Sequence, residues 1–278
     1  MRVSVVIPTY KRPKELERAV NSVLNNGYED VEVLIGYDGE KYGEFKDERV
    51  KTFLFKHTGN PSFIRNRLVE LASGELITFL DDDDEYLPGK IGRQVRSIGD
   101  FDAVFCNILV YNMRIGKYVG PAYNKVELKF ENFLYIHKKF GVLVHVNAWM
   151  MRKDFFLRIG GFDERLDFEE DWEFGVRVFK NGRVKFDNFL GAVHYMYRTD
   201  GLNVNARNPE KFLRAGRIIS EGLSGLDRIR FLNYAYGVAG YKLAKIKKKK
   251  EAILYSLRGL FPFPDTFALR GIIRALIR

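Results

Sequence analysis

The chain has 278 residues, enough for one large domain or for a domain with a smaller extension. Its 46% apolar content suits a packed core, yet no apolar run reaches the eighteen or so residues that a membrane-crossing helix requires. The net charge of +10 is uneven, because residues 242–278 carry ten Lys or Arg against Glu251 and Asp265, a balance of +8, which leaves only about +2 for the rest (10 − 8). Cys106 is the single cysteine, so an internal disulfide and cysteine-based metal sites are excluded, and a reducing, cytoplasmic compartment is expected. The opening stretch is too short and too strand-like for a signal peptide, so none is expected.

Residues 3–7 read as a first strand, followed by the loop Pro8-Thr9-Tyr10-Lys11-Arg12. Pro13 opens a helix in which Leu16, Ala19, Val20, Val23 and Leu24 recur at helical spacing, and Gly27 closes it. Residues 31–35 form a second strand ending at Gly36-Tyr37-Asp38-Gly39, and residues 50–55 a third. Asn60-Pro61 starts a helix carrying Ile64, Leu68 and Leu71. Leu76, Ile77, Phe79 and Leu80 make a near-continuous apolar run, as a central strand of a parallel sheet does. The run stops at Asp81, Asp82, Asp83 and Asp84, and Pro88 is expected in the first turn of a helix reaching about Ile98. Further strands are expected at 103–110, 117–119, 144–151, 184–186 and 192–197, with helices at 127–137 and 152–159. A helix bearing Trp172, Val176 and Phe179 begins near Glu170 and Asp171.

Strands alternating with helices imply a parallel sheet with right-handed crossovers. Thr9, Tyr10, Asp38 and the four aspartates then share the carboxyl edge of the sheet, where open α/β sheets bind ligands. Neither a G-x-G-x-x-G fingerprint nor a P-loop is present. Adjacent carboxylates repel unless a cation sits among them. Two readings of the run stand: a solvated acidic loop favouring the next helix N-terminus, or a site for Mg²⁺ or Mn²⁺ bridging to a ligand's phosphates. A nucleotide site without glycine-rich phosphate loops would use such an ion to balance charge. Asp38 is either an acceptor for a base N–H or ribose hydroxyl, or a turn residue of Asp-Gly. Glu170 and Asp171 are either carboxylates favoured by a helix dipole, or a general base aimed at an acceptor hydroxyl.

In order, these residues resemble the inverting glycosyltransferases of family 2 with the GT-A fold, over about residues 2–200. The opening Val-Ser-Val-Val-Ile-Pro-Thr-Tyr-Lys-Arg is similar to that family's first strand and loop. Tyr37-Asp38-Gly39 stands where the family has Asp-Asp-Gly, so Tyr37 is a departure. Ile64-Arg65-Asn66 resembles Ala-Arg-Asn, and Phe79 to Asp84 resembles the D-x-D element. Gly160-Gly161-Phe162-Asp163-Glu164 followed by Glu170-Asp171-Trp172 is similar to the acceptor-side motif.

The resemblance implies an α/β fold of the GT-A type: a nucleotide-diphospho-sugar transferase with a Rossmann-like mixed sheet flanked by helices. The catalytic domain would span 1–205 and a C-terminal helical extension 206–278. It implies an enzyme, a glycosyltransferase of the hexosyltransferase class. A sugar would move from a nucleoside-diphosphate sugar, UDP-linked first, to a glycan or lipid-linked acceptor hydroxyl by single displacement. Asp171 is the implied base, with Glu170 positioning sugar or acceptor. Pro8, Thr9, Tyr10, Asp38, Arg65, Asp81 and Asp82 are the implied donor contacts. Asp83 is the implied ligand of Mn²⁺ or Mg²⁺, with Asp81 beside it and His194 either a further ligand or an ordinary strand histidine. Arg198-Thr199-Asp200-Gly201 resembles a segment that closes over the donor.

Beyond Pro209 the pattern is helical, through 212–223, 227–245, 252–260 and 266–278. In the last stretch Leu269, Ile272, Ile273 and Leu276 form one apolar face, and Arg270, Arg274 and Arg278 a basic stripe. With the Lys247–Lys250 run, this reads as attachment to an anionic membrane surface, the inner face of the cell membrane, or as a helix packed on its own domain or on a partner subunit. No nucleic-acid-binding pattern appears, so no nucleic acid is expected as a partner. A nucleic-acid-binding protein using the basic tail is one rival reading, and a non-catalytic GT-A relative that binds nucleotide or sugar is the other.

Overall fold

The computed structural model describes residues 1–121, 134, 145–196 and 209–277. The expected helix at 127–137 and the segment 198–201 lie outside the described residues, except for Leu134. In chain order the elements are β1 (Val3–Thr9), α1 (Pro13–Leu24), β2 (Val31–Asp38), β3 (Val50–Phe55), α2 (Pro61–Leu71), β4 (Leu76–Phe79), β5 (Glu85–Tyr86), α3 (Lys90–Ile98), β6 (Ala103–Asn112) and β7 (Lys117–Pro121). A 3₁₀ turn (Val146–Ala148), β8 (Trp149–Arg152), α4 (Lys153–Arg158), α5 (Glu170–Asn181) and β9 (Val184–Met196) follow. The chain ends in α6 (Pro209–Glu221), α7 (Gly225–Lys245), α8 (Lys249–Arg258) and α9 (Thr266–Ile277). The described residues group into two compact units, one of 1–121, 145–167 and 177–196, the other of 134, 168–176 and 209–277.

The first unit is built on a mixed sheet in the order β3-β2-β1-β4-β8-β6-β9-β5, with β7 on β6. β3, β2, β1 and β4 run parallel, whereas β8 is antiparallel to both β4 and β6, and β9 is parallel to β6. Every residue of β1, β2 and β4 is buried, which is why these strands read as mostly apolar, with the polar exceptions Ser4, Thr9, Glu32, Asp38 and Thr78 also buried. α1 and α2 are the crossovers. Pro at the first helical position suits both, and the Asn60 side chain caps α2 by accepting from the Ser62 and Phe63 nitrogens.

The turn that launches β4 is fixed by a buried carboxylate. Glu32 Oε1 accepts from Ser4 Oγ at 2.6 Å, Ser73 N at 2.6 Å and Ser73 Oγ at 2.8 Å. Ser4 Oγ in turn accepts from the Gly74 nitrogen at 2.9 Å. A Cβ at residue 74 would lie 2.6 Å from Ser4 Oγ and 2.8 Å from the Ser4 nitrogen, so only glycine lets the chain enter β4 this close to β1.

Three expectations are corrected. Pro88 stands ahead of α3 rather than in its first turn, because Gly89, at φ 79°, is the cap and the chain between Asp84 and Pro88 forms β5 against β9. The strand expected from 144 begins only at Trp149, since His145 accepts from the Asn147 nitrogen and closes a 3₁₀ turn. The strands expected at 184–186 and 192–197 are one, β9, which absorbs its irregular middle by register shifts against Cys106 and Asn107.

In the second unit, Trp172 is fully buried, stacked on Phe212 of α6 at 5.4 Å and tilted against Phe231 of α7 at 5.7 Å. α7, α8 and α9 pack on one another.

Candidate active site

The carboxyl ends of β1, β2 and β4 place Thr9, Tyr10, Asp38 and the aspartate run on one edge. Pro8 lies within β1 opposite Gly36. Asp38 accepts from the Thr58 nitrogen at 2.6 Å and the Gly59 nitrogen at 2.8 Å, and His57 Nδ1 is 3.1 Å away. The His57 ring stacks on Tyr10 at 4.7 Å, the Lys11 ammonium lies over the Tyr10 ring 5.2 Å from its centroid, and Tyr10 is 43% exposed. Tyr37, the departure at this end, is buried edge-on to Tyr42, and burial pushes its hydroxyl up to about 12.

The four aspartates have separate partners. Asp81 pairs with the buried guanidinium of Arg65 at 2.7 Å, and its nitrogen donates to Asn147 Oδ1. Asp82 accepts from Thr9 Oγ1 at 2.7 Å, the Tyr10 nitrogen at 3.3 Å and Arg12 Nη1 at 2.8 Å. Asp83 shares the same Arg12 nitrogen, at 2.7 Å. Asp84 is fully buried and accepts from Asn147 Nδ2 at 2.5 Å and the Tyr195 nitrogen at 2.8 Å.

Two histidines complete the cluster. His194 Nδ1 is 3.0 Å from Asp84 Oδ2, and His145 Nε2 is 3.6 Å from Asp81 and 3.9 Å from Asp84. Their ring centroids are 4.5 Å apart. Asp84, His145 and His194 each offer a ligand atom within 4.8 Å of the others. Of the residues expected to hold a metal, His194 is therefore a member of this triad, Asp81 adjoins it through His145, and Asp83 is turned to Arg12 instead. The aspartates lie past the end of β4 in a turn closed by the Asp84 nitrogen donating to the Asp81 carbonyl at 3.1 Å, and from it Asp84 meets β9 while Asp82 and Asp83 meet Arg12 in the loop after β1.

Charge is unbalanced here. Burial, then the negative charges of Asp84 and Asp81, push the Asp83 carboxyl up to about 7 despite Arg12. Burial likewise raises Asp82 above the usual carboxylate range. Burial acts against ionised Asp81 too, but Arg65 and His145 outweigh it and hold this carboxyl low. Burial lowers His145 further than its carboxylate neighbours raise it, with the His194 charge acting in the same direction. His194 moves up, because Asp84 overcomes the cost of burial. Four crowded carboxylates beside two imidazoles form a donor set of the kind that takes a divalent cation.

Sequence reasoning missed His145 and Arg12. No spacing marks His145, yet histidine is scarce, and all three histidines among the described residues (His57, His145 and His194) sit at this edge. Glu170 and Asp171 open α5 in the second unit, where Asp171 Oδ1 accepts from the Trp172 nitrogen at 2.8 Å. The neighbouring Glu169 is buried, at φ 60°, with Lys242 3.4 Å away. The Gly160–Glu164 motif borders a groove of about 490 Å³ in the first unit, lined also by Asn66, Arg165 and Arg177.

The model of the family described as glycosyl transferase family 2 matches residues 4–156. An uncharacterized glycosyltransferase of Rickettsia typhi is 25% identical over 201 residues, 67% of this chain and 61% of its own length. A protein of Escherichia coli named UDP-Glc:alpha-D-GlcNAc-diphosphoundecaprenol beta-1,3-glucosyltransferase WfgD is 29% identical over 137 residues, 45% of this chain and 54% of its own. The chain thus spans under two thirds of the length of these curated relatives. The crystal structure of S. aureus TarS in complex with UDP superposes with a TM-score of 0.65 at 16% identity, covering 99% of this chain and 89% of that one, which shows a shared fold.

Proposed function

The chain belongs to glycosyl transferase family 2, and from that premise we propose that it transfers a sugar from a UDP-sugar to a hydroxyl of a lipid-linked glycan, with inversion, at an anionic membrane surface. The observation that carries the reading is the Asp84–His145–His194 triad set against Asp81, Asp82 and Asp83 at the carboxyl edge of the parallel strands. The donor and acceptor classes are supported by the name of the E. coli relative, which gives UDP-glucose and a diphosphoundecaprenol-linked sugar.

The residues present fit a divalent metal. One carboxylate and two imidazoles within 4.8 Å form a mixed oxygen and nitrogen set, which favours Mn²⁺ over the all-oxygen preference of Mg²⁺. Such an ion supplies positive charge for a leaving diphosphate when bound. The chain's own groups have other tasks. Tyr10, backed by His57, offers a face on which a base can stack, with Asp38 beside it as acceptor. Arg65 keeps Asp81 ionised, and Arg12 holds Asp82 and Asp83 together. Asp171 takes the proton of the acceptor hydroxyl, whose oxygen bonds to the anomeric carbon as the bond to the diphosphate oxygen breaks on the opposite face. Glu170 orients the acceptor or sugar, and the groove beside Gly160–Glu164 is a surface for the acceptor.

Calorimetry of UDP and GDP, each with and without Mn²⁺, on the wild type and on Asp84→Asn tests this. UDP is expected to bind with Mn²⁺, and the variant to lose about ten-fold or more in Mn²⁺-dependent affinity. Failure of both nucleotides to bind under every condition would overturn the reading.

A further inference from the structure

α7, α8 and α9 meet through their smallest residues. A Cβ at Gly237 of α7 would lie 2.9 Å from Asp265 Oδ1 and 3.0 Å from the Ala268 nitrogen of α9. One at Gly240 would lie 2.8 Å from the Ser256 nitrogen of α8, and one at Gly271 of α9 would lie 3.0 Å from the Tyr241 nitrogen of α7. Ala252 and Ser256 are the buried residues of α8, and Ala268, Gly271 and Ala275 those of α9.

In water a helix ordinarily turns its bulky apolar side chains to the core. In α8 and α9 many of them turn outward instead, although Ile253 and Tyr255 of α8 pack against the inner cluster and Phe267 and Ile272 of α9 are half-buried. On and just after α8, Leu254, Leu257 and Phe261 are exposed. On α9, Leu269, Ile273, Leu276 and Ile277 are exposed, from 50% at Leu269 to 78% at Ile277. Most of the apolar face legible in the last helix is therefore the outward face, and the small residues are the packed one. Small residues inside and large aliphatic ones outside is the arrangement of helices in lipid, where close backbone approach drives packing and the surroundings are themselves apolar. Among the described residues, however, no helix is long and apolar enough to cross a membrane.

Cations border this face. Lys247 and Lys248 precede α8, Lys249 and Lys250 open it, Arg258 ends it and Arg270 lies on α9, all of them exposed. We propose that α8 and α9 form a monotopic docking face that sinks its leucines, isoleucines and Phe261 into the headgroup–acyl boundary of an anionic membrane, with the lysines and arginines among the headgroups. The charge selects this occupant over a second copy of the chain, since a two-fold contact would press two like-charged rims together. The surface deepens the membrane part of the proposed function and rests on it for its purpose, but its geometry belongs to the second unit alone.

The test is flotation of the full chain with vesicles of phosphatidylcholine, alone or mixed with phosphatidylglycerol. The variants are Ile273→Glu with Leu276→Glu, Leu254→Glu with Leu257→Glu, and Lys249→Gln with Lys250→Gln. UDP binding with Mn²⁺ and no vesicles is measured on every sample. The wild type is expected to favour the anionic vesicles by about ten-fold or more, and each glutamate pair to lose that binding with UDP binding unchanged. The glutamine pair keeps the fold's apolar surface and is expected to lose most of the preference for anionic lipid. Wild type that ignores both vesicles, or glutamate pairs that bind as wild type does, would overturn the proposal. So would a concentration-dependent dimer that the glutamate pairs dissociate, which would assign the face to a second copy. Vesicle binding as expected with no UDP binding would uphold this surface and count against the transferase site.

Discussion

Replacing Glu32 by Gln tests how the aspartate cluster is held in place. The Glu32 side chain is fully buried on β2, and Lys51 Nζ donates to its second oxygen at 2.8 Å, with Arg2 at 3.7 Å. Burial acts against the charge, but Lys51 and the donors from Ser4 and Ser73 outweigh it and bring the carboxyl down to about 2. Set against the ordinary value of 4.5 for a glutamate, and discounted because Lys51 and Arg2 are half in solvent, the ionised form contributes about 2–3 kcal/mol to folding. A neutral amide would turn its own N–H groups toward some of these donors, so Glu32→Gln is expected to cost a similar amount at pH 7, or roughly 5–10 °C in Tm. The sign in pH follows from the lowered carboxyl. The contribution is whole above the unfolded value and fades as pH falls toward the folded one, because a protonated Glu32 resembles Gln. Urea unfolding of both proteins at pH 7 and pH 3 should show the gap shrink to about 1 kcal/mol at the lower pH. Equal stabilities at pH 7, or a gap unchanged at pH 3, would refute the reasoning.

Other outcomes are expected on the same grounds. Asp171→Asn should retain Mn²⁺-dependent UDP binding while turnover falls by 10²-fold or more, on the scale of a lost general base; turnover near wild type would remove Asp171 from the role of base. Lys90 is buried and, among the described residues, has no carboxylate partner; it donates to Thr78 Oγ1 at 3.0 Å and Gln94 Oε1 at 2.7 Å, and burial brings it down to about 8. The unfolded chain then holds the extra proton between about pH 8 and 10.5, so stability should rise with pH across that window, and Lys90→Met should flatten the rise in unfolding titrations. A Cβ at Gly259 would lie 2.7 Å from the Gly237 nitrogen, so Gly259→Ala should destabilise the second unit by about 1–3 kcal/mol, read as a lower urea midpoint for that unit.

The first four parallel strands and both crossovers were legible because each is specified locally. An apolar run of strand length, an Asn-Pro helix start and helical spacing over ten residues carry their meaning within one window. The same holds for the placement of Asp81 to Asp84, since a buried strand cannot continue through four aspartates. The separate tasks of those aspartates were not legible. Asp82 and Asp83 meet Arg12, about seventy positions earlier, while Asp84 meets His145 and His194 far downstream. β5 escaped notice because two residues carry no period, and the short turn at His145 because its capping competes with a strand-like composition.

The sequence by itself determined the alternating architecture, the edge on which the aspartate run gathers and the basic, helical character of the tail, all of which follow from spacing and composition. The tertiary structure decided what the pattern left open: which carboxylate meets the histidines, that a glutamate on β2 lies buried beneath the turn into β4, and which face of the last helix turns outward. Helical periodicity defines the faces of a helix but not the direction in which either points. That direction is set by how closely the backbones of α7, α8 and α9 approach, and glycine and alanine at their contacts let them come close enough to leave the large side chains outside.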